Sequence, residues 1–261
     1  MRGARPGFIL RSTLALIQAS LTGSRRHHCK RLWSQARFTS KRQFCNCREG
    51  VKMDYQYTYN WFNDATRNVW DNLIPMVAPK RVLEVGSFEG ASTCYIIDYL
   101  GQQAGGEIHC VDTWKGGIEH SPTGSAPAEM SAAEKRFWHN TSISSRSAKN
   151  EVALTVHKGS SDIKLAELLC GGKHGYFDLV YIDGSHQAPD VLCDAVLGFK
   201  LLRVGGTMIF DDYLWAEPKS DGIDLINCPK PAIDAFTNLF CRRLILYRAH
   251  LYQLYMKKTS D

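Results

Sequence analysis

Three absences frame this 261-residue chain. No apolar run approaches the roughly 18–20 residues that a membrane span needs, so no membrane span is expected. There is no C-x-x-C pair: the nine cysteines stand at 29, 45, 47, 94, 110, 170, 193, 228 and 241 without repeated spacing. An odd and unpatterned set argues against a secreted disulfide framework and against a zinc site. Cys94, Cys110 and Cys193 sit inside apolar segments, as small buried hydrophobes do. Cys45 and Cys47 have no further ligands near them that would complete a metal site.

The third absence is of acid at the start. Residues 1–48 carry eleven Arg or Lys and no Asp or Glu, so the rest of the chain holds 21 basic residues against all 26 acidic ones, a net of −5. The overall charge of +6 therefore belongs to a tail, and the mildly acidic body gives no reason to expect a nucleic-acid surface. Residues 1–50 read as a basic extension outside the fold. Leu10, Leu14, Ile17 and Leu21 recur at helical spacing among arginines, the composition of a mitochondrial transit peptide. The competing reading is that translation starts at Met53, which implies a cytoplasmic protein instead of a mitochondrial one. Residues 51–261 read as a single domain, whose 44% hydrophobic and 22% charged composition is that of a globular protein.

What is present in that body is an alternation of strand-like and helix-like segments. A helix capped by Asn63 is expected to run to about Ala78, with Pro79 ending it. Arg81–Val85 reads as a strand, Ala91–Leu100 as a helix closed by Gly101, and Glu107–Val111 as a second strand. A helix over Ala128–Asn140, a strand over Val152–His157 and a helix through Ile163–Cys170 follow. Phe177–Ile182 is a fourth strand, Pro189 opens a helix that ends before Gly205-Gly206, and Thr207–Phe210 is a fifth. Such alternation implies a parallel sheet covered by helices on both faces. The end departs from it. After a helix over Pro231–Phe240, Arg243–Arg248 and Tyr252–Lys257 read as an antiparallel hairpin with a very short turn.

The chemistry-bearing residues fall where these strands end. Glu84-Val85-Gly86-Ser87-Phe88-Glu89-Gly90 follows the first strand with the spacing E-x-G-x-x-x-G, in which Gly86 and Gly90 let the backbone turn tightly against a ligand. It is not the G-x-G-x-x-G of pyrophosphate binders, and a carboxylate at the strand end suits a ligand carrying an ammonium group. Asp112 ends the second strand, where an acid can accept both hydroxyls of a ribose. Thr113 and Trp114 follow it, and the Trp could stack on an adenine face. Ser160 and Ser161, after the third strand, are placed to hydrogen-bond the base; a helix N-cap is the plainer reading. Asp183 and His186 follow strand four, and Asp211-Asp212 follow strand five. Adjacent strands lie about 4.8 Å apart, so these acids converge if the strands are neighbours. Converging carboxylates repel unless protonated, hydrogen-bonded or bridged by a cation, and oxygen-only ligation suits Mg²⁺ or Ca²⁺. Adjacent strand residues point to opposite faces, so Asp211 and Asp212 both reach such a site only if the strand has already ended. The aromatic stretch from Tyr55 to Phe62 suits either a pocket wall or packing at the sheet edge.

Val82–Gly90, Asp112, Tyr181–His186 and Gly205–Tyr213 together resemble the class I S-adenosylmethionine-dependent methyltransferases, in the branch related to macrocin and sugar O-methyltransferases and to catechol O-methyltransferase. The resemblance covers roughly residues 55–258. It implies an α/β Rossmann-like doubly wound sheet of about seven strands, order 3-2-1-4-5-7-6, with the last strand antiparallel. It implies that Glu84, Gly86, Ser87 and Gly90 hold the methionine portion of S-adenosylmethionine, Asp112 the ribose, and Ser160 or Ser161 the adenine surroundings. In the metal-dependent members the positions of Asp183, Asp211 and Asp212 carry Mg²⁺. The chain departs from catechol O-methyltransferase in having Asp at 212 for Asn and His at 186 for Lys, so a catechol substrate is not implied. His186, with an unperturbed pKa near 6.5, is the preferred general base, with Asp211 beside it.

The expected activity is O-methylation of a small polar hydroxyl-bearing molecule with divalent-metal assistance. The expected partners are that methyl acceptor and, in a homo-oligomer, further copies of the chain. Three rivals stand beside it: a nicotinamide-dependent Rossmann oxidoreductase, a non-catalytic cofactor-binding relative, and a metal-dependent hydroxylase-like relative on the same fold. The glycine spacing and the terminal hairpin weigh against the first. The acidic trio with His186 weighs against the second.

Overall fold

In a computed structural model of the chain, the described residues are 54–217 and 222–261. The basic extension therefore lies outside them, and its expected role is not addressed by the structure. A π-helical turn over Phe62–Thr66 leads directly into α1 (Arg67–Val77). Asn63 lies within that turn and caps nothing; its side chain instead joins Asn60 and Arg67. Pro75 is accommodated in the last turn of α1, and Ala78, in the left-handed conformation, stops the helix with its N–H on the Ile74 carbonyl at 2.8 Å.

Thereafter the chain follows β1 (Arg81–Val85), α2 (Ala91–Gln102), β2 (Gly106–Asp112), α3 (Met130–Ser147), β3 (Val152–Lys158), α4 (Ser161–Cys170), β4 (Phe177–Ile182), α5 (Ala188–Leu201), β5 (Leu202–Phe210), α6 (Lys230–Leu239), β6 (Leu244–Leu246) and β7 (Leu254–Lys258). The strands make one seven-stranded sheet, ordered β3-β2-β1-β4-β5-β7-β6. The first five are parallel, and β7 runs antiparallel to both β5 and β6. This is the expected Rossmann-like order.

Period-two alternation distributes each strand between two cores. Leu83 and Val85 of β1, with Val180 and Ile182 of β4, meet Leu165, Val191, Ala195, Phe199 and Phe236 of α4, α5 and α6. Val82, Leu179 and Tyr181 point to the other side, onto Trp70, Leu73, Ile96, Ile97 and Phe137 of α1, α2 and α3. Burial on both faces explains why β4 is buried at every position and reads as an apolar run.

Four boundaries differ from the sequence reading. Gly101 continues α2 because the Ala148 side chain packs where its Cβ would be, so the glycine serves helix contact and not termination. The long connection before β3 contributes a longer helix than expected, ending at Ser147. The register of β5 against β4 jumps between Phe177 and Leu179, which absorbs Gly205-Gly206 into an irregular strand starting at Leu202. The terminal hairpin is closed by seven residues, 247–253, and not by a tight turn.

The ladder of the parallel strands continues past their carboxyl ends. Gly86 N–H bonds to the Val111 carbonyl (2.9 Å), Gly159 N–H to Asp112 (2.9 Å), Asp183 N–H to Val85 (2.7 Å) and Asp211 N–H to Ile182 (2.9 Å). Five strand ends, β1 to β5, are thereby fastened side by side. Gly86 is the tightest point: at φ +84°, a Cβ there would sit 1.9 Å from the Asp183 carbonyl oxygen. Gly86→Ala should therefore cost about 3 kcal/mol or more of unfolding free energy in urea titration. Gly172→Ala, at the same φ with nothing within 4 Å, should cost only about 1 kcal/mol.

Candidate active site

The carboxyl ends of β1, β2, β4 and β5 open into a cavity of about 1040 Å³. That is at the upper end for a ligand pocket and leaves room for two small ligands side by side. Gly86, Ser87, Asp112, Thr113, Ser160 and Ser161 border it, as do Asp183, His186, Asp211 and Asp212. Tyr57, Tyr59, Trp61 and Phe62 form part of the wall, so most of the aromatic stretch before α1 faces the cavity.

Not every residue read from the sequence reaches it. Glu84 is 1% exposed and does not border the cavity. Its carboxylate accepts hydrogen bonds from the hydroxyls of Ser87 (2.6 Å), Ser92 (2.6 Å) and Thr93. Burial raises its pKa, and those hydroxyls oppose the rise. Glu84 thus orients two cavity-lining serines, Ser87 and Ser92, in place of the direct contact with an ammonium group expected of it. Trp114 is also turned inward: its indole donates to the Phe88 carbonyl at 2.9 Å and packs on Phe137, leaving no face for a base. Gly90, left-handed at φ +81°, supports the turn from behind and faces Phe137.

Asp112 keeps its place on the rim, yet much of its capacity is already used. Its Oδ2 accepts from the backbone of Ser87 (2.8 Å) and Phe88 (3.0 Å), and its Oδ1 from Trp114 (2.7 Å). A carboxylate offers about four acceptor positions, so roughly one remains, enough for a single hydroxyl and not the expected pair.

The acids after β4 and β5 do converge. The last strand residue of β5 is Phe210, and Asp212 takes a left-handed conformation at φ +53°, so two consecutive aspartates both face the cavity. Tyr181, fully buried, links them: its hydroxyl contacts Asp183 Oδ2 at 2.8 Å and also Asp211 Oδ2. A phenol has one proton, so it donates to one carboxyl and accepts from the other, which must be protonated. Consistently, burial and then the neighbouring acids raise both, Asp183 well above the carboxylate range and Asp211 to about 7. Gln253 completes the set by donating to Asp211 Oδ2 at 2.7 Å. Tyr181 entered the sequence reading only as the start of the Tyr181–His186 segment, with no role of its own, and Gln253, in the hairpin connection, carried no signal.

His186 balances the remaining charge. Its Nε2 lies 2.9 Å from Asp212 Oδ2 and its Nδ1 3.4 Å from Glu119 Oε2, while Glu119 Oε1 pairs with His120 Nδ1 at 2.9 Å. Glu119 is 5% exposed and sits in the connection between β2 and α3, where no sequence motif marked it. Burial alone would raise its carboxyl, but His120 and His186 beside it hold it well below the usual range. Burial would likewise lower His186, yet Asp212 and Glu119 outweigh it and raise its pKa to about 10. In this arrangement His186 is an imidazolium at neutral pH, not the half-titrated base that its ordinary pKa suggested.

One group of potential ligands for a cation lies together among the described residues. Ligand atoms of Asp183, His186 and Asp212 fall within 4.8 Å of one another. This group has His186 where the expected all-oxygen trio has Asp211, whose oxygens are engaged by Tyr181, Gln253 and its neighbour's backbone. Two carboxylates suit a hard ion such as Mg²⁺; the imidazole, once it has given up its proton, extends the set toward borderline ions such as Mn²⁺.

With this geometry in view, the comparisons are direct. A family model described as a methyltransferase domain matches residues 83–213, the span from β1 to just past β5. The chain belongs to that methyltransferase family. No curated protein sequence matches it. Among solved structures, an O-methyltransferase from Bacillus cereus in complex with SAH is similar at 18% identity, over 72% of this chain and 77% of that one, with a TM-score of 0.50. A calicheamicin methyltransferase is similar at 14% identity, over 76% and 82%, with a TM-score of 0.52. At such identities the likeness is one of fold. Among the described residues, no helix of this methyltransferase is long and apolar enough to cross a membrane.

The raised pKa of His186 gives the site a pH signature. Folding binds this proton more tightly than the unfolded chain does, so the resulting stability is complete below about pH 6.5 and is lost as pH rises to about 10. Unfolding free energies from urea titration in EDTA should fall across that window in the wild type, by an amount on the order of a few kcal/mol. His186→Asn should lack the part of the fall that is centred near the upper end.

Proposed function

We propose that this methyltransferase uses S-adenosylmethionine to methylate a hydroxyl of a small polar molecule. The observation that carries the reading is that a glycine turn with two glutamate-held serines, a ribose-competent aspartate and a cluster of acids with a histidine all border one cavity. S-adenosylmethionine supplies an electrophilic methyl group on a sulfonium. Gly86–Gly90 with Ser87 and Ser92 fits its amino-acid end, Asp112 with Thr113 beside it a ribose hydroxyl, and Ser160 with Ser161 the surroundings of the base.

The acceptor hydroxyl has to lose a proton while its oxygen is aligned with the methyl group. His186 borders the same space, with Nε2 toward Asp212. Acceptor binding that separates Asp212 from Nε2 removes the interaction that most raises the His186 pKa, so the imidazolium releases its Nε2 proton to solvent and the bared nitrogen can then take the hydroxyl proton. Asp211, held by Tyr181 and Gln253, fixes the position of Asp183 through the shared phenol. Asp183 and Asp212 are the carboxylates that would hold a divalent cation, which polarises and orients a hydroxyl when bound.

Two measurements test this. Asp112→Ala should weaken binding of S-adenosylhomocysteine in isothermal titration at least about tenfold, and unchanged affinity would remove the ribose assignment. In differential scanning fluorimetry, Mn²⁺ should raise the Tm of the EDTA-treated wild type by a few degrees, on the order of 1 kcal/mol of binding linkage. Asp212→Ala should abolish that shift; an equal shift in the variant would sink the metal assignment.

A further inference from the structure

His109 of β2 and His157 of β3 meet on one face of the sheet. His109 Nδ1 lies 2.9 Å from His157 Nε2, and the rings stack 5.1 Å apart and 17° from parallel. His109 is buried, meets Phe177 edge-on and turns its Nε2 toward Glu107 Oε2 at 3.5 Å. His157 is half-buried. Neither ring borders the cavity, and neither joins the one group of potential cation ligands among the described residues.

A nitrogen–nitrogen contact this short is a hydrogen bond, with a single proton between the two atoms. Two imidazoles have four ring nitrogens, two of which here share one position. The closed pair therefore holds at most three protons, whereas two separated rings hold four. The surroundings do not absorb the further charge. Lys173 and Lys164 of the neighbouring connection and helix face the pair, against Glu107 of β2 and Glu167 of α4. Glu107 is already in contact with the Tyr176 hydroxyl through Oε1, and Lys173 and Arg81 lie over the Tyr176 ring. Burial, then His157 and Lys173, lower the His109 pKa; burial, then Lys164, lower that of His157. A base lowered on folding contributes stability that is complete above its ordinary pKa near 6.5 and is lost as pH falls below it.

The pair sits where parting it has a consequence. β3 is the edge strand and pairs only with β2. One residue after His157 it ends, and the Gly159 amide then donates to the Asp112 carbonyl. Ser160 and Ser161 follow on the cavity border. We propose that the His109–His157 pair is an acid-sensitive clasp: the proton that the closed pair excludes enters as the rings separate, parts β3 from β2 and loosens the Ser160–Ser161 wall of the cavity. The effect on ligand binding rests on the cofactor placement given above; the opening of the strand does not.

The test is hydrogen exchange by mass spectrometry on the full chain at about pH 7.5 and about pH 5.5, corrected for the intrinsic exchange rate. Amides of β3 should lose about tenfold in protection relative to those of β4, the change for one site of ordinary histidine pKa that only the opened state protonates. His157→Gln, or His109→Gln if the first variant does not fold, keeps a hydrogen-bonding partner that cannot become charged and should lose less than about threefold. Over the same interval, S-adenosylhomocysteine affinity in isothermal titration should fall at least about threefold more in the wild type than in the variant. Unchanged β3 protection in the wild type, or an equal loss in the variant, overturns the proposal. Opening of β3 with the same fall in affinity in both proteins overturns its link to the cavity. Absence of S-adenosylhomocysteine binding at either pH overturns the cofactor reading, while the exchange result still decides the clasp.

Discussion

The contact on which the site depends is the approach of the β1 turn to the end of β4. Gly86 lies so close to the Asp183 carbonyl that no side chain fits between them, and the same turn is bonded to β2 through Val111. Because interiors are close-packed, a strand end moved by one side chain would move its neighbours too. The turn, Asp112, Asp183 and Asp211 are consequently held on one rim, and the cavity exists because that rim is continuous.

Holding so many acids in one place raises an electrostatic problem that the molecule meets in three ways, with one acid left over. Glu84 is caged by hydroxyls. Asp183 and Asp211 share a phenol and retain a proton between them. Asp212 and Glu119 are neutralised by an imidazolium. Asp194, in α5, is left bare. At the opposite end of β4, Asp178 shows what a purely structural acid looks like: it accepts from the amides of Lys80 and Arg81 and from Arg203, which offset burial and lower its pKa. The contrast between Asp178 and Asp183, five residues apart, separates the end of the sheet where an acid is paired with donors from the end where acids crowd and raise one another's pKa.

The aromatic segment before α1 shows how far local reading extends. Its composition permitted either packing or a pocket wall, and it serves both. Phe62 packs edge-on against Trp70 in the core while Tyr59 and Trp61 stack on each other beside Phe88. Thr58 and Arg136 meet Glu89 of the glycine turn, tying this segment and α3 to the cofactor-binding loop assigned above. None of these pairings follows from spacing in the chain.

The sequence by itself determined the strand and helix alternation, the position of the glycine turn and the placing of acids at strand ends, all of which follow from short-range periodicity. The seven-stranded order was what the resemblance to the class I methyltransferases implied. The tertiary structure alone decided the state of each charge. Trp70 meets Gln253 from 183 residues away, and Gln253 in turn donates to Asp211; Glu119 finds His186 across the cavity. A pKa depends on burial and on neighbours of this kind, so His186 as a cation and Glu84 as an indirect support emerge only once the chain has closed on itself.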